Sequence, residues 1–396
     1  MAWIVSHCFR SLSSGRRPCR RPAFEILEER TLLSVFTLPP SVLMANGASP
    51  QSVAVADFNG DGRPDVAVAN NGNHTVGVLL NAGNGSFGPL ASYNINNSPV
   101  EVISADLNGD GKPDLMVVNN TSPGTVTVLL NAGNGTFAAP SAYSVGNNPS
   151  GVVAADLNND GFPDLVVTNK TDSTVSVLLS NGNGTFLPAT SVTVPSSPLA
   201  ITAGDFNGDS NQDVAVIANG QVDVLYGNGS GGFTTQAPFS CGSTPGAIVS
   251  GDFNKDGKLD LAVADAFPSN NGAAVLLNTG TGAFASPVFY NVGAAPSAIA
   301  VGDVNGDGNL DIVTADGGFA ANYTSVMLGN GDGTFGRVTN WVADQQPVGI
   351  AIGDFNGDQK QDLVVANSKS NDLSFLTGNN DGTFGVHLSP NFPTTE

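Results

Sequence analysis

Seven times along the chain, three aspartates and one asparagine fall within nine residues, as Asp-x-Asn-x-Asp-x-x-x-Asp. The sets are Asp57, Asn59, Asp61 and Asp65; Asp106, Asn108, Asp110 and Asp114; Asp156, Asn158, Asp160 and Asp164; Asp205, Asn207, Asp209 and Asp213; Asp252, Asn254, Asp256 and Asp260; Asp303, Asn305, Asp307 and Asp311; and Asp354, Asn356, Asp358 and Asp362. Carboxylate and amide oxygens at this spacing are the donor set of a hard cation, which takes about six to eight oxygens from side chains, backbone carbonyls and water. The carbonyl of position 7 is available as the chain turns, at Arg63, Lys112, Phe162, Asn211, Lys258, Asn309 and Lys360. Calcium is expected, up to seven ions with one per loop. Magnesium prefers fewer protein ligands, and zinc would want the His or Cys that these loops lack. With no ion, three like charges within nine residues would repel one another in each loop.

These loops are not EF-hands. An EF-hand needs a glutamate at position 12 between helices, whereas position 12 of the first loop is Val68, in a strand-like run. Position 6, where glycine permits a positive φ, is Gly in five loops but Ser210 in the fourth and Gln359 in the seventh, so those two are expected to bind more weakly.

The loops must be held by a repeating frame. Their starts, at 57, 106, 156, 205, 252, 303 and 354, lie 47 to 51 residues apart, and a Gly-Asn-Gly-type turn recurs in phase, ending at Phe87, Phe137, Phe186, Phe233, Phe284, Phe335 and Phe384. A period near 50 with short alternating strands marks propeller blades and not a helical solenoid. In the second repeat, Val100 to Ala105, Asp114 to Asn119, 125 to 130 and Ala142 to Val145 read as four strands. The expected fold is all-β, a seven-bladed propeller of four antiparallel strands per blade over residues 35–396. Phe36 precedes Asp57 as each blade phenylalanine precedes the next motif, so residues 35 to 44 are expected to supply the outer strand of blade 7. The 12 residues after Phe384 leave room for a partial strand at most.

Composition agrees with this frame. The 396 residues include 49 Gly and only 12% charged residues, and no stretch approaches the roughly 20 apolar residues of a membrane helix. The net charge of −20 is mostly site charge, since the seven loops hold 21 of the 29 Asp. After residue 34, eight basic residues face 31 acidic ones, giving −23, and seven divalent ions would bring this to −9. Such a field excludes nucleic acid as a partner. Cys241 is the single cysteine of the body, so no disulfide can form within it.

Motif, phase and copy number together resemble the FG-GAP/VCBS repeat family, best known from the seven-bladed propeller of integrin α subunits. The resemblance implies structural calcium in the loops between first and second strands, and ligand binding on the opposite face. Residues 1–34 differ, with six of the chain's eight Arg, and Leu27 to Ser34 resembles the LE-x-R-x-LLS leader of many surface or secreted planctomycete proteins. Residues 1–34 read as a basic sorting segment, disordered or removed. An extracellular or cell-surface, monomeric binding or adhesion module for carbohydrate or protein is therefore expected. Its ligand face would carry Phe267, Phe319 and Tyr323 in the long loops of blades 5 and 6. The alternatives are a propeller-based polysaccharide lyase or hydrolase and a purely structural envelope module. The body holds two histidines, His74 and His387, and no G-x-S-x-G or H-E-x-x-H motif. Catalytic residues are not assigned, although Asp172, Asp265 and Asp316 could converge across blades.

Overall fold

The computed structural model describes residues 41–45, 47–195, 197–266, 272–318 and 322–386. The leader at 1–34, the first part of the expected closing strand, and Phe267 and Phe319 lie outside the described residues.

Among the described residues the structure is all β, and its strands form seven antiparallel blade sheets of four or five strands and one two-stranded hairpin, Asn81–Gly83 with Ser86–Phe87. Blade 2 shows the pattern. Its inner strand is Pro99–Ala105, followed by Asp114–Asn119, Gly124–Leu129 and the outer strand Ser141–Val145. Val102 faces Val117, Val117 faces Thr127, and Thr127 faces Ala142 across successive ladders. Every residue of the second strand is buried, while the outer strand is largely exposed. This explains the uninterrupted apolar run Leu115-Met116-Val117-Val118. A strand covered on both faces by neighbouring blades has no wet side to alternate toward.

Burial is organised between blades. Seven apolar clusters each join one blade to the next, for instance Ala67, Val76 and Val78 of blade 1 with Val102, Leu115 and Val117 of blade 2. The inner strand of blade 1, Pro50–Ala56, packs against those of blade 2 and of blade 7, Pro347–Gly353, which closes the ring.

Closure is also staggered, as the phase of the repeats predicts, by an N-terminal strand that pairs into the last blade. Ser41–Leu43 pairs antiparallel with the third strand of blade 7, Asp372–Gly378, with Val42 opposite Leu373. The C-terminal Phe384–Val386 pairs with the other end of that strand, so each chain end supplies half of the outer position. Asn371 fastens the junction. Its Oδ1 accepts from Ser49 N at 2.7 Å, and its Nδ2 donates to the Ala45 carbonyl at 2.9 Å. Blade 4 departs from the pattern: its outer position is split into Phe233–Thr235 and Phe239–Ser240, with Pro238 between them. Proline lacks the N–H that a continuous ladder needs.

The acidic loops and the face opposite them

Because the strands alternate in direction, each acidic loop shares one end of its blade with the turn after the third strand. The loops that follow second strands and those that enter inner strands lie at the other end. All seven acidic loops have the same backbone. In the first, Asp57 accepts the N–H groups of Gly60 (2.7 Å) and Asp61 (3.1 Å) on Oδ1 and that of Gly62 (2.7 Å) on Oδ2. Asn59 Oδ1 accepts from Asp61 N, and Asp61 Oδ1 accepts from Arg63 N. Each acidic or amide side chain therefore caps the backbone just ahead of it, as Asp and Asn do in turns.

Position 6 is left-handed in every loop. Gly62 has φ of 83°, and Ser210 (69°) and Gln359 (66°) adopt the same conformation despite their side chains. Their N–H groups still reach Asp205 and Asp354 at 2.8 Å. Position 4, which the sequence analysis did not single out, is left-handed too: Gly60 at 75°, Asn159 at 59° and Lys255 at 58°. No loop carries a side chain at both positions. The bond from position 4 to the first aspartate forms in loops 1, 2, 4, 6 and 7. Loops 3 and 5, with Asn159 and Lys255, lack it, so the departures in hydrogen bonding fall there and not on loops 4 and 7.

Position 9 plays a different part. Asp65, fully buried, accepts Phe58 N (2.9 Å) on one oxygen and Asn81 N (2.7 Å) on the other. The same two bonds recur at Asp114, Asp164, Asp213, Asp260, Asp311 and Asp362. Each carboxylate thus latches the start of its loop to the end of the third strand. Burial pushes the carboxyl groups of Asp213, Asp260, Asp311 and Asp362 up to about 6; the two N–H donors oppose that shift, and repulsion from positions 5 and 1 adds to it.

The loops are wired to one another across blades. Asn131 Nδ2 of blade 2 donates to the Phe58 carbonyl at position 2 of the first loop (3.0 Å), Asn278 Nδ2 to that of Phe206 (2.8 Å), and Asn81 Nδ2 to that of Phe355 (3.0 Å), which joins blade 1 to blade 7. The rings follow the same path, with Phe58 edge-on to Phe137 at 5.5 Å and Phe253 to Phe335 at 5.6 Å. These asparagines carry no acidic signal. Their only mark in the sequence is a constant place just before the Gly-Asn-Gly turn.

A cation fits this donor set in chemistry. The loops offer only oxygen ligands, and a carboxylate oxygen that accepts one N–H keeps a second lone pair. Among the described residues no cation pairs with the buried position-9 carboxylates; the ion pairs of the loops are exposed ones at position 5, such as Arg63 with Asp61 at 2.8 Å. In the geometry present, however, no three carboxylates converge at ligating separation among the described residues.

At the opposite end, Tyr323 opens the third strand of blade 6 and is 38% exposed. Asp172, Asp265 and Asp316 do not come together. Asp172 binds Asn147, Asp265 caps Ser243 N and Thr244 N, and Asp316 accepts from Thr314 and Ser325 within its own blade. A groove of about 290 Å³ lies between blades 6 and 7, lined by Gly317, Gly318, Asn322, Gln345, Gln346 and Lys369. Its floor is held by Lys369 N donating to the Gln345 carbonyl and by Asn322 O accepting from Ala343 N. Among the described residues no helix is long and apolar enough to cross a membrane.

A family model described as FG-GAP-like repeat matches five overlapping stretches, residues 57–117, 106–167, 156–216, 205–263 and 252–314. No curated protein matches the chain. Among solved structures, BBS1N in complex with ARL6DN, soaked with mercury, is similar at 14% identity and TM-score 0.61, covering 90% of this chain and 99% of the other. An Agrocybe aegerita lectin described for specific recognition of non-reducing terminal N-acetylglucosamine is 22% identical, with TM-score 0.55 over 83% of this chain and 86% of its own. Virginiamycin B lyase from Staphylococcus aureus is 13% identical, with TM-score 0.58 over 85% and 97%. At these identities the likeness is one of fold.

Proposed function

The chain belongs to the FG-GAP-like repeat family, and from that premise we propose that it is an exported, calcium-stabilised propeller that binds carbohydrate on the face opposite its acidic loops. The observation that carries this reading is the groove between blades 6 and 7. Asn322, Gln345 and Gln346 offer neutral amides that both donate and accept, and Lys369 adds donors, a set suited to the mixed donor and acceptor character of sugar hydroxyls. Tyr323, half-exposed at the same end of blade 6, adds an aromatic face on which a sugar ring could stack. The fungal lectin of like fold lends support, since it is a sugar-binding protein. The basic leader resembling LE-x-R-x-LLS supports export to the cell surface or beyond.

The side chains that would hold calcium are Asp57, Asn59, Asp61 and Asp65 and their counterparts in the other six loops. The ion would supply the positive charge that seven acidic loops call for. The loops' own contribution is to fix the blade ends through the latches at position 9, while the opposite face remains free to recognise a ligand.

A glycan array probed with the calcium-loaded protein tests the proposal. Binding to a defined glycan class, lost when Gln345 and Gln346 are both replaced by Ala, is the expected result. Absence of binding to every glycan would overturn the carbohydrate reading and leave a protein ligand as the next one to test.

A further inference from the structure

The seven inner strands surround a central channel whose chemistry is asymmetric. The chain enters six of them through a proline followed by an irregularity in the ladder, at Pro50/Ser52, Pro99/Glu101, Pro149/Gly151, Pro245/Ala247, Pro296/Ala298 and Pro347/Gly349. Such a bulge re-aims the side chain that follows it. The equivalent residue of blade 4 is Ala200. Around the ring this position is therefore Ser, Glu, Gly, Ala, Ala, Ala and Gly: six small neutral residues and Glu101.

Glu101 uses the room that a neighbouring glycine leaves. Its Oε2 accepts Val152 N, one residue past Gly151, at 2.7 Å. Ser52 makes the same blade-to-blade bond with a shorter side chain, accepting Val102 N at 3.3 Å. Glu101 Oε1 has no hydrogen-bond partner among the described residues. The cavity that Glu101 lines measures about 300 Å³ and takes in residues of all seven inner strands, with Ser52, Ser150 and Ser297 as hydroxyl groups and the rest apolar apart from Gln51. Glu101 is its one ionisable residue. The flanking inner strands Pro50–Ala56 and Pro149–Ala155 carry no titratable side chain. On the blade's own second strand the nearest one, Asp114, lies four residues along the ladder from Val118, Glu101's partner, and is bound to Leu107 N and Asn131 N.

A half-buried carboxylate in the channel wall with one oxygen unpaired is costly unless a cation meets it, and nothing among the described residues supplies one there. We propose that the channel is a binding site for a small organic cation, an alkylammonium group, with Glu101 as its counter-ion. One carboxylate with one free oxygen matches a single ammonium. A bare metal ion would need several more oxygens than the channel offers. The volume is at the lower end of the roughly 300–1,000 Å³ of small-molecule sites, and the Val, Leu, Ile and Ala side chains among its lining residues offer contact to an alkyl body. The negative field of the whole chain, at net −20, draws cations toward the channel mouth. Burial pushes the Glu101 carboxyl up to about 7, opposed by the Val152 N–H, so an arriving cation would displace a proton near neutral pH.

The test is calorimetric titration of the full chain, in saturating calcium, with n-butylammonium and with n-butanol as the uncharged control. Saturable binding of the amine and not of the alcohol is expected, with proton release near pH 7 seen as a dependence of the heat on the buffer's ionisation enthalpy. Glu101→Gln should weaken amine binding by about tenfold or more, the scale of a charge-assisted hydrogen bond. Equal binding by Glu101→Gln, equal binding of butanol, or no saturable amine binding would each overturn the proposal. If Glu101→Gln fails to fold, the wild-type chain decides: amine affinity must fall as pH drops below the range where Glu101 ionises, and a flat profile sinks the idea.

Discussion

The side-chain amide of Asn131 in blade 2 donates to the main-chain carbonyl of Phe58 in blade 1 at 3.0 Å, and also to the Pro113 carbonyl of its own loop at 2.9 Å. One buried side chain thus ties two acidic loops together. Asn131→Ala leaves both carbonyls without that donor, so a loss of about 1–3 kcal/mol is expected. Urea unfolding of the two proteins measures it. Asn134→Ala, in the exposed turn three residues on, is the control and should cost much less, since its bonds are to Thr136 in the same turn. Equal effects would deny the inter-blade role.

Position 6 makes a second prediction. Ser210 and Gln359 hold φ of 69° and 66°, a region that costs side-chain-bearing residues roughly 1 kcal/mol or more, whereas glycine enters it freely. Ser210→Gly and Gln359→Gly should each stabilise the chain by a few tenths to about 1 kcal/mol, the gain being reduced by glycine's larger unfolded-state entropy. Gly62→Ala should do the reverse. The midpoint of thermal unfolding reports all three, and destabilisation by both glycine substitutions would refute the strain argument.

How far the sequence disclosed this molecule depends on what each residue is bonded to. Blade number, the four strands per blade and the closing N-terminal strand were legible because a repeat shows its period and its phase, and the offset of Phe36 from Asp57 announces a strand whose blade lies at the far end. The donor oxygens were legible because their spacing is local. The double duty of Asp65 was not, since its partners Phe58 N and Asn81 N are backbone groups, one of them 16 residues away. Glu101 was legible only as an acid outside the loops. Its significance rests on six other blades placing small residues around one channel, a relationship that appears only when the ring is closed. The groove at Gln345 and Gln346 escaped for a similar reason, being assembled from three loops of two blades.

Calcium supplies the third prediction. A ligand that binds the native state and not the unfolded chain must raise the unfolding temperature by mass action, by about 2.7 kcal/mol at a hundredfold excess over Kd for a single site. Differential scanning calorimetry in millimolar calcium and then in chelator should give a higher midpoint with calcium. Asp57→Asn, at a half-buried loop position where the amide oxygen can still accept part of the backbone N–H bonds from Gly60, Asp61 and Gly62, should shrink the increment more than it lowers the calcium-free midpoint. No difference between calcium and chelator would remove the loops from consideration as cation sites.

Glu101 supplies the last, through linkage. Its folded-state pKa is raised from 4.5 to about 7 by burial, so the unfolded chain gives up this proton at a lower pH than the folded one. Between those two values the unfolded state binds fewer protons, and stability falls with rising pH. The contribution is fully present below 4.5 and is lost as pH passes through about 7. At roughly 1.4 kcal/mol per unit the ceiling is about 3 kcal/mol, lowered by the part of the residue that meets channel solvent. Glu101→Gln keeps an oxygen to accept Val152 N and cannot ionise. In saturating calcium and without amine, its stability should therefore match the wild type in acid and exceed it increasingly from pH 4.5 to 7. Urea titrations across that range measure the gap. A constant difference at every pH would mean that the Glu101 carboxyl is solvated like an ordinary surface acid.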